Sequence, residues 1–309
     1  MNGVLIIDKP QGWTSHDVVA WVRKVLRIRK VGHGGTLDPL ATGVLPIYLG
    51  EGTKLVPFNL EGTKDYIATM KLGQETDTLD ADGKIIAEKV EFPRTQQELE
   101  EALNQFRGKI RQKPPLYSAI KQNGIPLYKR ARSGEIPEVA ERDAVIHALS
   151  LKDFSFPRVT LEITCGRGTY IRSLCADVGR SLGCGAHLVE LRRTRSGRFG
   201  LGEALTLEEI SRLAERKEIE GKIIPLSESV DLAGKIMLEE RAVARVRQGQ
   251  PLLLSDLPPG QKERLRKGQR WGLLQGARDL VAIAESQVDS EPWISGDFKA
   301  LRVLRVFNG

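Results

Sequence analysis

Apolar and polar residues along this chain follow two rhythms. A period of two marks strands. Tyr66, Ala68, Met70 and Leu72 alternate with Ile67, Thr69 and Lys71, and Val159, Leu161, Ile163 and Cys165 repeat the pattern. Each run describes a strand with one face in a core. Residues 3–8 (GVLIID) form a short continuous apolar run and predict a buried strand. A period near 3.6 marks helices. Val18, Val22, Val25 and Leu26 share one face, as do Leu99, Leu103 and Phe106, then Leu174, Cys175, Val178 and Leu182, then Leu207, Ile210 and Leu213. Thr95 with Glu98 and Thr206 with Glu209 have capping-box spacing, and Ser15 is the expected N-cap of the first helix.

The pattern changes in the early 230s, after a charge-dense stretch over residues 215–222. From there short apolar runs are punctuated by Gly249, Pro251, Pro258, Pro259, Gly260, Gly272 and Gly276. Runs such as 272–274 and 279–284 suggest a small all-β module. The chain therefore divides into residues 1–232 and 233–309, within the range that 309 residues allow.

Charge adds a weak pointer. Lys and Arg number 47 against 40 Asp and Glu, a formal charge of +7, which suits a phosphate-rich partner without requiring one. No apolar run approaches a membrane span, and Asp8 interrupts the first apolar run, which has no basic leader. Cys165, Cys175 and Cys184 fit no zinc spacing, so reduced packing thiols and a cytoplasmic location are expected, with no metal.

The densest chemistry lies in residues 32–45, GHGGTLDPLATGVL. Its glycines let a backbone turn sharply and let another molecule come close. Pro39 biases Asp38 away from helix, so one carboxylate stands on an extended or turning chain. Such a loop is often only a turn. A nucleotide loop is excluded by the missing Gly-Lys-Ser/Thr ending and the missing Gly-x-Gly-x-x-Gly spacing. Four further stretches stand out. They are Asp8-Lys9-Pro10-Gln11-Gly12 with Ser15; Tyr66 followed by Leu72-Gly73 and the acidic loop of Asp77, Asp80 and Asp82; residues 114–134, rich in Pro, Tyr, Lys and Arg; and Gly168-Thr169-Tyr170-Ile171-Arg172 followed by Leu191-Arg192-Arg193-Thr194. The acidic loop lacks the spacing and closing Glu of an EF-hand and reads as local hydrogen bonding. In residues 114–134, charge for phosphate and flat rings for unstacked bases are what an RNA-contacting lobe needs. His187 has no acid or nucleophile at motif distance and reads as structural.

In this order the five stretches resemble the motifs of the TruB-type tRNA pseudouridine synthases, over roughly residues 3–232. The loop reads His33-Gly34-Gly35-Thr36, where the family also has His-Thr-Gly-Ala, with His33 and Asp38 unaffected. The resemblance implies an α+β pseudouridine synthase fold, with a mixed, largely antiparallel sheet and a thumb-like insertion over about 112–142. It also implies a C-terminal PUA-type RNA-binding module. Asp38 would be the catalytic residue, Tyr66 the ring stacked on the target base, Tyr170 and Leu191 pocket walls, and Arg172 the partner of Asp38. Lys9 would support the site, and His33 would fill the space that the flipped base vacates. Lys121, Lys129, Arg130 and Arg132 would hold RNA.

The implied reaction converts uridine 55 in the T loop of tRNA to pseudouridine, cutting C1′–N1 and joining C5 to C1′. It transfers no electrons, so no cofactor is implied. No long basic extension of the guide-dependent relatives is present, so a monomer acting without guide RNA or protein partner is expected. An Asp at its ordinary pKa of ~3.9 is ionised at neutral pH. Burial would neutralise it, and Arg172 nearby would oppose that. The alternative is a non-catalytic protein that binds or folds RNA through the same pocket; an acid facing a phosphate-rich ligand argues against it.

Overall fold

The computed structural model describes residues 1–89, 95–118, 120–135, 137–258, 260, 264–289 and 299–308. In chain order the first part contains β1 (Gly3–Lys9), α1 (Ser15–Leu26), β2 (Val31–His33), β3 (Thr42–Leu49), α2 (Val56–Asn59) and β4 (Lys64–Leu72). A small hairpin follows, β5 (Gln74–Thr76) with β6 (Ile85–Glu88), then α3 (Gln96–Asn104) and β7 (Gly108–Gln112). The insertion carries β8 (Lys121–Gln122), β9 (Ile125–Pro126) and α4 (Leu127–Arg132). Next come β10 (Arg142–Ser155), β11 (Arg158–Cys165), α5 (Ile171–Ser181), β12 (Ala186–Ser196), β13 (Phe199–Gly200) and α6 (Leu207–Glu215).

These strands build a nine-stranded sheet in the order β1-β3-β12-β4-β11-β10-β7, with β2 on β3 and β13 on β12. It is mixed and largely antiparallel, as expected. The β3–β12 pair is parallel, aligning Thr42 with Arg192 and Gly43 with Arg193. That junction needs a glycine. Gly43 has φ +99°, and a Cβ there would lie 2.2 Å from the Arg193 carbonyl oxygen. The chain can therefore leave the loop of residues 34–41 and enter β3 directly against β12.

The apolar faces meet as their periodicity requires. Val18, Val22 and Leu26 of α1 join Leu99 and Leu103 of α3, Leu174 and Val178 of α5 and Ile210 of α6 over Ala68, Met70, Leu161 and Ile163 of the sheet. Thr95 and Thr206 cap α3 and α6 in full capping boxes with Glu98 and Glu209. The first helix differs from expectation. Its N-cap is Thr14, boxed with Asp17, and Ser15 lies inside the first turn with a buried side chain. Thr14-x-x-Asp17 is itself a capping-box spacing, with the shorter Asp in place of Glu.

The tail forms a second sheet from β14 (Gly234–Met237), β15 (Leu252–Leu253), β16 (Arg270–Gln275), β17 (Asp279–Ser286) and β18 (Lys299–Val306). It is not purely β. The two-turn helix α7 (Glu240–Arg247) packs Ala242, Val243 and Val246 into that sheet's core. A third apolar cluster joins Val4, Ile6, Val44 and Tyr48 of the large sheet to Leu274, Leu280, Ile283 and Phe307 of the small one. Polar contacts reinforce the seam. Lys54 donates to the Val306 carbonyl at 2.9 Å, and the Asn308 N–H donates to Glu51 at 3.0 Å. Glu51 also pairs with Lys54 at 2.5 Å and Lys30 at 3.0 Å; burial pushes its carboxyl up, and Lys54, the Asn308 N–H and Lys30 outweigh that, holding it down at about 2.

Candidate active site

Residues 34–41 form a loop between β2 and β3, and three contacts fix its shape. The Ser15 hydroxyl donates to the Leu37 carbonyl at 3.1 Å and accepts from the Leu37 N–H at 2.8 Å. The Gly12 N–H donates to the Pro39 carbonyl at 2.8 Å, and the Ala41 N–H closes a turn on the Asp38 carbonyl at 3.0 Å. Beneath the loop lies Lys9, fully buried at the end of β1. Its ammonium donates to the carbonyls of Trp13 at 2.6 Å, Pro10 at 2.9 Å and Pro39 at 3.4 Å. Burial pulls the Lys9 amine down to about 8, with the Asp38 charge opposing and the Arg193 charge assisting. Ser15→Ala removes both hydroxyl contacts to Leu37 while keeping the turn of helix. It is expected to cost about 1–3 kcal/mol of stability by urea denaturation.

Asp38 stands half-buried, with 36 % of its side chain exposed, against Arg172 in the first turn of α5. The Arg172 Nε lies 3.0 Å from Asp38 Oδ2, a charge contact rather than an aligned hydrogen bond. The same guanidinium lies 3.3 Å from Asp80 Oδ2 and donates to the carbonyls of Thr78 at 3.1 Å and Tyr117 at 3.0 Å. Only 5 % of the Arg172 side chain is exposed. One buried cation thus ties the 34–41 loop, the acidic loop and the base of the insertion together. Asp80 is buried as well; its second oxygen accepts from the Thr78 hydroxyl at 2.5 Å and the Asp82 N–H at 3.2 Å. Burial raises the Asp38 carboxyl above the ordinary carboxylate range, Arg172 pulls it back, and Asp80 pushes it further up.

The aromatic residues flank this pair. Tyr66 sits near the start of β4, directly opposite Arg193 of β12 and Ile163 of β11. Burial raises its hydroxyl pKa, and the Arg193 charge opposes that rise. Tyr170 immediately precedes α5. Gln112, buried at the end of β7, grips its backbone twice, accepting from the N–H at 3.1 Å and donating to the carbonyl at 3.2 Å. Lys9 reaches the Asp38 loop through the Pro39 carbonyl, and Tyr170 stands two residues before Arg172. Leu191 is buried opposite Ala68, in the apolar cluster that holds Leu37 and Leu40. His33 ends β2; burial first and then the Arg193 charge lower its pKa, keeping the imidazole neutral at neutral pH.

The insertion reaches the site through Tyr117 and through the Lys113 carbonyl, which accepts from the Ser173 hydroxyl at 2.8 Å. Lys121 and Lys129 are exposed upon it. Arg130 is engaged within it, pairing with Glu135 at 2.7 Å and donating to Gln122 at 2.6 Å. Arg132 ends α4, and its side chain lies outside the described residues. Sequence reasoning missed Asp80 as a partner of Arg172, Ser15 as a clamp, Gln112 and Arg193. For Ser15 a signal existed, because Thr14-x-x-Asp17 moves the cap by one residue and frees the serine. For the other three nothing local distinguishes them from neighbouring polar residues. His187 is structural, as expected, with its Nδ1 3.1 Å from the Gln74 carbonyl.

Two family descriptions match this chain. The N-terminal domain of the TruB family pseudouridylate synthases matches residues 23–171. The C-terminal domain of tRNA pseudouridylate synthase B matches residues 172–231. A tRNA pseudouridine synthase B of Geobacter sulfurreducens is 43 % identical over 308 residues, covering 100 % of both chains. One of Syntrophus aciditrophicus is 41 % identical, covering 100 % of this chain and 99 % of its own. Among solved structures, the crystal structure of a Cbf5-Nop10-Gar1 complex aligns with TM-score 0.73 and 30 % identity, over 98 % of this chain and 84 % of that one. An H/ACA RNP bound to a substrate RNA containing 2'-deoxyuridine aligns with TM-score 0.74 and 28 % identity, over 99 % of this chain and 85 % of that one. With matched domains that take in Asp38, Tyr66, Tyr170, Arg172 and Leu191, and relatives alike from end to end, the chain belongs to the TruB family of pseudouridylate synthases.

Proposed function

We propose that this protein isomerises uridine 55 in the T loop of tRNA to pseudouridine, as a monomer in the cytoplasm without guide RNA, protein partner or cofactor. The observation that carries the reading is a half-buried carboxylate, Asp38, 3.0 Å from the buried Arg172. The relatives of matching length that carry the name tRNA pseudouridine synthase B support the choice of substrate.

The target base leaves its stack at a cost of a few kcal/mol. Stacking on Tyr66 returns ~1–3 kcal/mol of it, with Tyr170 and Leu191 closing the pocket. His33, flat and neutral, takes the vacated place. The C1′–N1 bond breaks, the uracil turns, C5 joins C1′, and the C5 proton is lost. Whether the carboxylate adds to the sugar, adds to the base or takes a sugar proton, it must be ionised beside the nucleoside. Arg172 favours that form against the burial that opposes it. Lys9 holds the loop from below.

Residues 1–232 are the catalytic part in this reading and 233–309 a PUA-type RNA-binding part, with 112–142 as the thumb. Lys121, Lys129, Arg130 and Arg132 hold RNA in this reading, with Lys121 and Lys129 exposed on the insertion. Lys121→Ala with Lys129→Ala should weaken T-arm binding and flatten the plot of log affinity against log salt by about 0.7–0.9 for each phosphate no longer neutralised. An unchanged slope would remove the insertion from the RNA interface.

The direct test uses a T-arm stem-loop carrying C5-tritiated uridine, with no metal or cofactor added. Tritium release by the wild-type protein is the expected result. Binding without release would leave an RNA-binding protein in place of an enzyme.

A further inference from the structure

Strand β12 carries three arginines in four residues, and the driest of them is the one without a counter-ion. Arg192 pairs with Asp8 at 2.7 and 3.1 Å, and Arg195 with Asp65 at 2.6 and 3.0 Å. Both are partly exposed. Arg193 between them is 1 % exposed, and among the described residues no carboxylate lies within 4.0 Å of it. It donates from Nε to the Val44 carbonyl at 2.7 Å and from Nη2 to the Gly35 carbonyl at 3.1 Å. Both acceptors belong to the segment that carries Asp38. Arg193 is also the direct cross-strand partner of Tyr66, so their side chains rise from the same face of the sheet.

A buried charge without a counter-ion costs several kcal/mol and is kept only for a return elsewhere. The groups that feel this charge surround the pocket: Lys9 from β1, His33 from β2, and Lys64 and Tyr66 from β4. Lys9 and Lys64 are themselves cationic and cannot balance it. Among the described residues only backbone carbonyls contact it, so its charge is left available to an anion in the site.

We infer that Arg193 is a positioning residue whose fixed, uncompensated charge forms the floor of the site and offsets the negative charge that the uracil acquires during the reaction. The inference rests on the proposed isomerisation. When C1′–N1 breaks, the electron pair leaves with N1 and spreads over the ring carbonyls. It returns to bonding when C5 joins C1′ and the C5 proton departs. A cation already in place under Tyr66 stabilises that interval without reorganising. The two carbonyl bonds to Gly35 and Val44 keep it there.

The test compares Arg193→Met, similar in bulk and neutral, with Arg193→Lys. Methionine suits the dry site and orphans no carboxylate, but it takes donors from the Val44 and Gly35 carbonyls, and Arg193→Lys keeps the charge without that two-armed reach. Single-turnover pseudouridine formation is measured at saturating T-arm RNA, with RNA affinity measured alongside. Arg193→Met should lower the rate about 100-fold or more at unchanged affinity. Arg193→Lys should recover at least about tenfold of that loss.

A second readout follows the four histidines by NMR, with His33 assigned through His33→Gln. The Arg193 charge holds the His33 pKa down, so its titration midpoint should rise in Arg193→Met and stay near wild type in Arg193→Lys. His16 also faces His33 and is followed in the same spectra. Equal losses in both variants with His33 unmoved would reduce Arg193 to a mechanical tether and overturn the inference, as would a wild-type rate in Arg193→Met. An inactive wild-type protein would instead overturn the proposed reaction, leaving the NMR comparison to decide whether the floor charge exists.

Discussion

Asp38→Asn is expected to lower the single-turnover rate of pseudouridine formation by about 10,000-fold or more while RNA affinity stays at the wild-type level. The amide keeps the shape of the side chain, and the contacts of Ser15, Gly12 and Lys9 to the loop do not involve the carboxylate. Only the negative charge is lost. The fold should not suffer. Burial raises the Asp38 carboxyl above its unfolded value, so the ionised form is the one that the folded state disfavours. In the wild type, this group's contribution to stability falls as pH rises from the unfolded carboxylate pKa through the raised folded one. Asparagine removes that loss, and at neutral pH the variant should melt at or above the wild-type temperature. Calorimetry from acid to neutral pH, beside single-turnover kinetics, checks both halves. A rate within about tenfold of wild type would take Asp38 out of the chemistry.

Arg172→Met carries the second large effect, and here stability falls with activity. The substitution leaves Asp38 and Asp80 without the cation between them and takes donors from the Thr78 and Tyr117 carbonyls. Breaking a buried pair by deleting one partner costs about 3–5 kcal/mol, measurable by urea unfolding. The pH profile should move too. Arg172 pulls the Asp38 carboxyl down and Asp80 pushes it up, so removing the arginine raises it further. In the proposed reaction the ionised form acts, so the acid limb of the single-turnover profile should shift to higher pH. Arg172→Lys should restore the limb better than the stability, since an ammonium keeps the charge and lacks the planar fork that reaches four acceptors. Adding Asp80→Asn to Arg172→Met should return part of the lost stability by removing one of the two facing charges. A limb that does not move would mean that another group titrates in the reaction.

The contrast between Arg172 and Arg193 explains why two buried arginines call for different tests. Arg172 balances two carboxylates, so its loss leaves charges unpaired. Arg193 balances none within the described residues, so its loss takes two donors from backbone carbonyls but leaves no carboxylate unpaired.

Much of this was written in local patterns. Alternation placed β4 and β11, the 3.6-residue period placed α1, α3, α5 and α6, and the Thr-Glu spacings capped α3 and α6. The wording of residues 32–45 and 168–172 singled out Asp38 and Arg172. These signals are legible because a strand repeats every two residues, a helix every three to four, and a cap acts within three. The single-residue error at Ser15 arose within that same range, where Thr14 and Ser15 both offer a hydroxyl and only the bond to Leu37 decides between them. The helix in the tail escaped notice because its buried face, Ala242, Val243 and Val246, is short and set among charges.

Only the tertiary structure brought Asp80 to Arg172, Gln112 to the backbone of Tyr170, and Arg193 opposite Tyr66 with its guanidinium on the Gly35 and Val44 carbonyls. Each contact joins elements far apart in the chain. The partner of a strand residue is set by the register of a sheet that closes through a parallel junction at Gly43, and nothing within a few residues of Arg192, Arg193 or Arg195 says which of the three will be dry. Local chemistry chose the residues, and the long-range register decided which of them share a pocket.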